Sequence, residues 1–281
     1  MKSLFNYQTL HVTLEKETRT LKVELDRSDK ENAINLEMLF ELESLFAWAS
    51  NKVEIRSILL SSTSDIFSVG FDKEHLEKLN ENQIVKINDK LQKIVHAMLH
   101  LPQTVIVDLK KGASNLGCEL SIGADIRIAD QAVALDFNHP SLGLTAGGGG
   151  MGLLTSMVGQ MNARNWLLSA KKIGAKNLSQ SGFVMDTYKT DEERSFVVEE
   201  LLENVFNQAP VARIQTKLGI LSPFLEQFDN ANKLDKKISK ATLITGDWKQ
   251  QEEEAMKAKS MSYSVKLSLV KGEENNTGLR N

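Results

Sequence analysis

A chain of 281 residues, 41% hydrophobic and 25% charged, is long enough to bury a full core and has ordinary globular composition. Its net charge of -3 and pI near 6.0 argue against a nucleic acid or an anionic membrane as the main partner. Cys118 is the single cysteine and cannot close an internal disulfide, no apolar leader follows Met1-Lys2-Ser3, and no apolar run approaches a membrane span. The expectation is a cytoplasmic protein with one large domain and an appendage.

Leu10 to Leu14 and Leu21 to Leu25 alternate apolar and polar residues across a short charged link, which predicts a hairpin of two edge-type strands. A polar loop from Asp26 to Asn32 follows. Asn35 is a good cap for a helix with Met38, Leu39, Leu42, Leu45, Phe46 and Ala49 on one face, expected to lie across the sheet. Ile55 to Leu60 reads as a buried strand, and Gly70, within Phe67 to Asp72, lets the backbone approach a ligand closely. Residues 81 to 101 give a long amphipathic helix stopped by Pro102, and Thr104 to Leu109 gives a short buried strand. Ile126 to Ala129 and Ala132 to Leu135 are further short strands. Strand, turn, helix and strand at short intervals suit a ββα spiral better than a doubly wound sheet.

After Gly150 the pattern is helical: Met151 to Val158, Ala163 to Ala170, Ala175 to Ser181, Asp191 to Asn207, and another helix from Pro210. The change to all-helical near residue 208 is the best boundary. It divides a core at 1–207 from a helical region at 208–281, with Gly272 to Asn281 as a mobile tail. Ile214, Leu218, Leu221, Phe224, Leu225 and Phe228 exceed what one small helical lobe can bury, which predicts a subunit interface there.

The richest stretch runs from Ser114 to Gly150. Asn115-Leu116-Gly117-Cys118-Glu119 leads into Leu120, Ile122 and Gly123, so a carboxylate sits in the first turn of a short apolar helix that also presents unpaired N–H groups. A base beside such donors suits enolate chemistry, although an acidic residue in a first turn is also common as a plain complement to the helix dipole. Gly147, Gly149 and Gly152 satisfy the spacing of a dinucleotide loop. No Asp or Glu occurs from Phe137 through Met185 to bind a ribose, so the glycines read instead as a helix entry packed closely on the site. His96 and His100 are four apart on one helix but lack a carboxylate or a third ligand, so no metal is expected. Cys118 has no evident histidine partner and reads as buried filler.

The sequence G-C-E-L-S-I-G-A-D-I-R-I-A resembles the signature of the enoyl-CoA hydratase/isomerase (crotonase) family. Three segments fit in order: L-D-R-S-D-K-E-N-A-I-N at 25–35, F-S-V-G-F-D at 67–72 and L-G-L-T-A-G-G-G-G at 142–150. The match spans roughly residues 7 to 185. The resemblance implies an α/β fold, a crotonase-like ββα spiral core with a C-terminal all-helical appendage, and an acyl-coenzyme A thioester as substrate with no other cofactor. It implies a trimer or a pair of trimers, with the helical region between subunits.

By the same resemblance, the N–H groups of Phe71 and Leu116 form an oxyanion hole, expected to converge at about 2.7–3.1 Å on one thioester oxygen. Glu119 falls on the first catalytic glutamate. Asp26, Lys30 and Ala33 line the coenzyme A path, with Gly70, Asp72 and Gly117 beside the site, though Lys30 also reads as simply solvated. The second family glutamate is not matched. An ungapped alignment places His139 there, anchoring on Pro140 places Ser141, and a loop histidine with no chemical role remains an equal reading. Hydration of a 2-enoyl thioester and a double-bond shift are the leading reactions. The alternatives are an acyl-CoA decarboxylase or thioester hydrolase using the same site, and a non-catalytic acyl-CoA-binding relative.

Overall fold

The computed structural model describes residues 3–72, 78–169 and 171–249. Its main sheet has six strands, β1 (Leu10–Glu15), β2 (Thr20–Leu25), β3 (Ser57–Ser62), β4 (Thr104–Asp108), β6 (Ile126–Asp130) and β9 (Asp186–Tyr188), neighbours in that order. β1 and β2 form the antiparallel hairpin, with Val12 opposite Val23, and every later pairing in this sheet is parallel. β2 is therefore an interior strand, paired with β3 from Thr20–Ser57 to Leu25–Ser62, and only β1 is the edge at this end. The alternating polar residues Lys22 and Glu24 suggested an edge, but alternation reports which face is buried and is silent about which strand lies alongside.

Parallel strands are covered on both faces, and the side chains divide accordingly. Ile58, Leu60, Val105 and Val107 enter the main core, while Leu59, Ile106 and Ile128 form a second cluster with Tyr188, Val198 and Leu202. The second cluster is closed by the helix Asp191–Asn207, which Arg194 pins by donating from Nε to the buried Asp108 at 2.6 Å. Tyr188 donates its hydroxyl to the same carboxylate at 2.7 Å.

Four successive turns of the chain repeat one layout. Each supplies a strand to the main sheet and then a short extended segment to a second layer: β2 then Ile34, β3 then Ser68 to Phe71, β4 then β5 (Gly112–Ser114), β6 then β7 (Ala134–Asp136). Bridges join Ile34 to Phe71 and Ser68 to Ala113, β5 pairs in parallel with β7, and β8 (Ile173–Gly174) closes that layer. This is the expected spiral. Its consequence is that Ala33, Phe71, Leu116 and His139, far apart in sequence, all lie at or just beyond the stacked short segments.

Helix α1 (Leu36–Ala49) starts at Asn35, whose side chain accepts from the Met38 N–H at 2.9 Å, and buries the six residues expected from its 3.6 period. It packs on α2 (Glu81–His100), which begins with a capping box between Asn80 and Gln83. Beyond α3 (Leu116–Ile122) come α4 (Gly152–Val158), α5 (Gln160–Ser169), α6 (Ala175–Gln180), α7 (Asp191–Asn207), α8 (Pro210–Leu221) and α9 (Leu225–Thr245). Lys217 of α8 is nearly buried and donates to the carbonyls of Met98 and Gln103 and to Asp125 at 2.7 Å. Helix α9 folds back over α2 and the glycine loop, with Asn88 donating to Ser239 at 2.9 Å and Gln92 to the Asn232 carbonyl at 3.1 Å. Val211 and Ile220 of α8, Phe224 in the 3₁₀ turn between the helices, and Ile244 of α9 remain exposed, whereas Phe228 is buried. The proposed tail, 272–281, lies outside the described residues. No described helix is long and apolar enough to cross a membrane.

Candidate active site

Glu119 lies in the first turn of α3 and is completely buried, so its carboxyl oxygens have to find hydrogen-bond partners in the protein rather than in water. Three groups meet them. The backbone N–H groups of Gly148 and Gly150 donate to Oε1 at 2.9 and 3.0 Å, and His139 Nε2 lies 3.0 Å from Oε2. His139 stands at the start of a 3₁₀ turn, His139–Leu142, directly after β7 and is likewise fully buried, while Ser141 is exposed. The inward residue on this loop is thus the histidine. Its other ring nitrogen, Nδ1, has no hydrogen-bond partner among the described residues.

The glycine loop fits against the carboxylate because it has no side chains. A Cβ on Gly150 would stand 2.7 Å from Glu119 Oε1, and one on Gly148 would meet Leu91 at 2.5 Å. Gly147 packs against Asn88 and Ser239, and Gly152 against Ala231 of α9. Asp235 of α9 closes the far side of the loop, with Oδ2 accepting from the Gly152 N–H at 3.3 Å. Burial pushes its carboxyl up to about 6, and the neighbouring Glu119 charge adds to the rise.

The other half of the site is built from Phe71 and Leu116. Their N–H groups converge on one atom, Asn115 Oδ1, 2.6 Å from Phe71 N and 2.8 Å from Leu116 N. Gly70, at φ 82°, makes room for it: a Cβ there would sit 1.7 Å from that oxygen. Gly117 packs its Cα face on Ser68 in the same way. Asn115 is 3% exposed and adopts φ 35°, ψ -109°, a region that side chains rarely occupy. The resemblance did not mark Asn115. Its tolerance of positive φ was a readable signal, but its partner Phe71 is 44 residues away.

Of the remaining expected residues, Asp72 pairs with Arg27 at 3.0 Å, and Arg27 also donates to the Ala33 carbonyl, so these three are joined beside the Phe71 strand segment. Lys30 ends a 3₁₀ turn and its carbonyl accepts from Ala33. Asp26 is exposed and accepts from the Thr63 hydroxyl at 3.1 Å. Cys118 is buried and donates to the Ala113 carbonyl, and burial pushes its thiol well above the ordinary range, which removes the thiolate a nucleophile needs. His96 and His100 stack on each other at 4.2 Å, and no described group of three His, Cys, Asp or Glu side chains is placed to hold a metal ion.

The enoyl-CoA hydratase/isomerase family model matches residues 15–258. Among curated relatives, the short-chain-enoyl-CoA hydratase of Clostridium acetobutylicum is 27% identical over 211 residues, 75% of this chain and 80% of that protein. The mitochondrial Delta(3,5)-Delta(2,4)-dienoyl-CoA isomerase of Mus musculus is 25% identical over 228 residues, 77% of this chain and 69% of that one. The crystal structure of an enoyl-CoA hydratase from Bacillus halodurans superposes with a TM-score of 0.81 at 20% identity, covering 88% of this chain and 99% of that chain, a likeness of fold. With a model match that spans most of the chain and runs through both halves of the site, this protein belongs to the enoyl-CoA hydratase/isomerase family.

Proposed function

We propose that the chain is an acyl-CoA enzyme of the hydratase/isomerase type, in which a thioester carbonyl receives the Phe71 and Leu116 N–H groups and Glu119 moves a proton at the α-carbon. The observation that carries this is the convergence of the two N–H groups on a single oxygen, one helical turn before a buried carboxylate. Negative charge that builds on the carbonyl oxygen strengthens both hydrogen bonds, which lowers the cost of the enolate. Glu119 accepts the α-proton, the electron pair passes to the carbonyl oxygen, and the proton returns to the γ-carbon as the double bond shifts. One base suffices for that sequence, whereas hydration uses a second group to activate water. His139 takes the second position in the proposal, holding Glu119 by its Nε2 hydrogen bond. The double-bond shift is therefore the favoured reaction, with hydration next.

Arg27, Lys30, Ala33 and Asp72 are the proposed coenzyme A side, and the exposed apolar residues of α8 and α9 are the proposed contact of a trimer or pair of trimers. One observation favours a second reading, a non-catalytic acyl-CoA-binding relative: Glu119 is wholly enclosed and Asn115 occupies the hole. A turnover screen with 3-enoyl-, 2-enoyl-, malonyl- and hydroxyacyl-CoA separates the readings. Turnover of an enoyl thioester is expected. Coenzyme A binding without turnover of any thioester would leave the binding relative, and malonyl-CoA decarboxylation or thioester cleavage would move the same site to a different reaction.

A further inference from the structure

The contents of the oxyanion hole carry a consequence for affinity. Two N–H donors aimed at one atom identify that atom as the amide oxygen, since the amide nitrogen could accept neither. The same amide is anchored at its other end, where Nδ2 donates to Asn138 Oδ1 at 3.2 Å and more weakly to the Val69 carbonyl at 3.4 Å. The Asn115 backbone is held too: its N–H donates to the Asp136 carbonyl at 2.8 Å, in a conformation that a glycine would adopt without strain. A strained, buried asparagine whose oxygen satisfies both donors is what a carbonyl-binding site contains when it supplies its own carbonyl.

We propose that the Asn115 side chain is a built-in stand-in for the substrate carbonyl, so that an acyl thioester binds by displacing it and residue 115 sets the affinity for carbonyl-bearing CoA derivatives. This rests on the acyl-CoA reading above. A neutral thioester oxygen replaces one neutral acceptor by another, so it gains little from the two N–H groups on binding. The enolate oxygen, being charged, gains more. The displacement is common to the bound substrate and the transition state. It therefore raises KM, and leaves kcat little changed. The stand-in also keeps the two donors satisfied in the empty protein, where buried unpaired N–H groups would be costly.

The test measures binding of matched pairs, butanoyl-CoA with S-butyl-CoA and decanoyl-CoA with S-decyl-CoA, to the wild-type chain and to Asn115→Gly and Asn115→Ala. The thioethers lack the carbonyl oxygen and are otherwise close in shape. In Asn115→Gly the thioesters are expected to bind at least about tenfold more tightly while the thioethers stay within about threefold. Asn115→Ala, which keeps the backbone strain, changes in the same direction and guards against a general loosening of the glycine variant. Equal tightening of thioesters and thioethers, or thioester affinity independent of residue 115 in both variants, would overturn the stand-in while leaving the acyl-CoA reading intact. Absence of binding by all four compounds to every variant would overturn the acyl-CoA reading, and the stand-in with it.

Discussion

The two halves of the site are closed by different means. The Glu119 half is sealed from outside by long-range packing: a side-chain-free loop donates two N–H groups to the carboxylate, and α9 presses on that loop through Ala231, Asp235 and Ser239. The Phe71–Leu116 half is closed from within by one side chain, Asn115, which accepts from its neighbour Leu116 and from Phe71, 44 residues away. The first closure involves residues up to 92 positions apart, Gly147 and Ser239, and moves only if a helix or a loop moves. The second is made by a single side chain. The difference places a seal built from several elements around Glu119 and a closure built from one side chain between Phe71 and Leu116.

Gly70→Ala breaks the carbonyl half most severely. Its Cβ would meet Asn115 Oδ1 at 1.7 Å and the Ser114 carbonyl oxygen at 2.3 Å, at a φ that alanine rarely adopts. A loss of at least about 3 kcal/mol of stability is expected, read as a fall in the denaturation midpoint. Removing Asn115 from the same chain should not restore it, because the Ser114 contact is backbone.

Glu119→Gln probes the base half with the shape kept. Turnover should fall at least about a hundredfold, the scale of general acid–base catalysis, in steady-state assays on the best enoyl-CoA. His139→Gln retains a donor that can reach Glu119, and a loss of less than about tenfold is expected if the histidine positions the carboxylate. If His139 itself carried the proton, the two variants would lose similar amounts.

The smallest effect concerns the seal. Because the folded Asp235 carboxyl titrates near 6 rather than at 3.8, the native chain binds this proton more tightly than the unfolded chain. Its contribution to stability is therefore greatest below about pH 4, falls as pH rises towards 6, and stays reduced above. Asp235→Asn keeps an acceptor for Gly152 and should flatten that limb, raising Tm by a few degrees at pH 7 with no gain at pH 4, as read by thermal unfolding across pH.

What the sequence carried of this structure was mostly local. The buried face of α1 and the Asn35 cap follow from spacing within one turn or two, and the helix bounds at Asp191–Asn207 and Pro210 follow from residues at the ends themselves. The pairing of β2 with β3 did not follow, because a strand's alternation describes its faces and leaves its neighbours unspecified. The same limit applied at the site. Glu119 could be picked out by motif, and His139 and Ser141 could not be told apart until burial separated them. The four glycines were legible as a close-packing device. That two of them present N–H groups to Glu119, and that Asn115 points its oxygen between Phe71 and Leu116, depends on contacts 29 to 44 residues apart.

The proposed chemistry is a thioester enolate made with Glu119 as the base. Solvent deuterium incorporation at the α-carbon of 3-enoyl-CoA, and at the α-carbon of the 3-hydroxyacyl-CoA formed from 2-enoyl-CoA, followed by proton NMR in D2O, tests it before any choice between double-bond shift and hydration. Incorporation is expected with the wild-type chain, at a rate at least about a hundredfold lower in Glu119→Gln. Absence of both incorporation and double-bond movement with every thioester that binds, or an equal rate in Glu119→Gln, would contradict the claim.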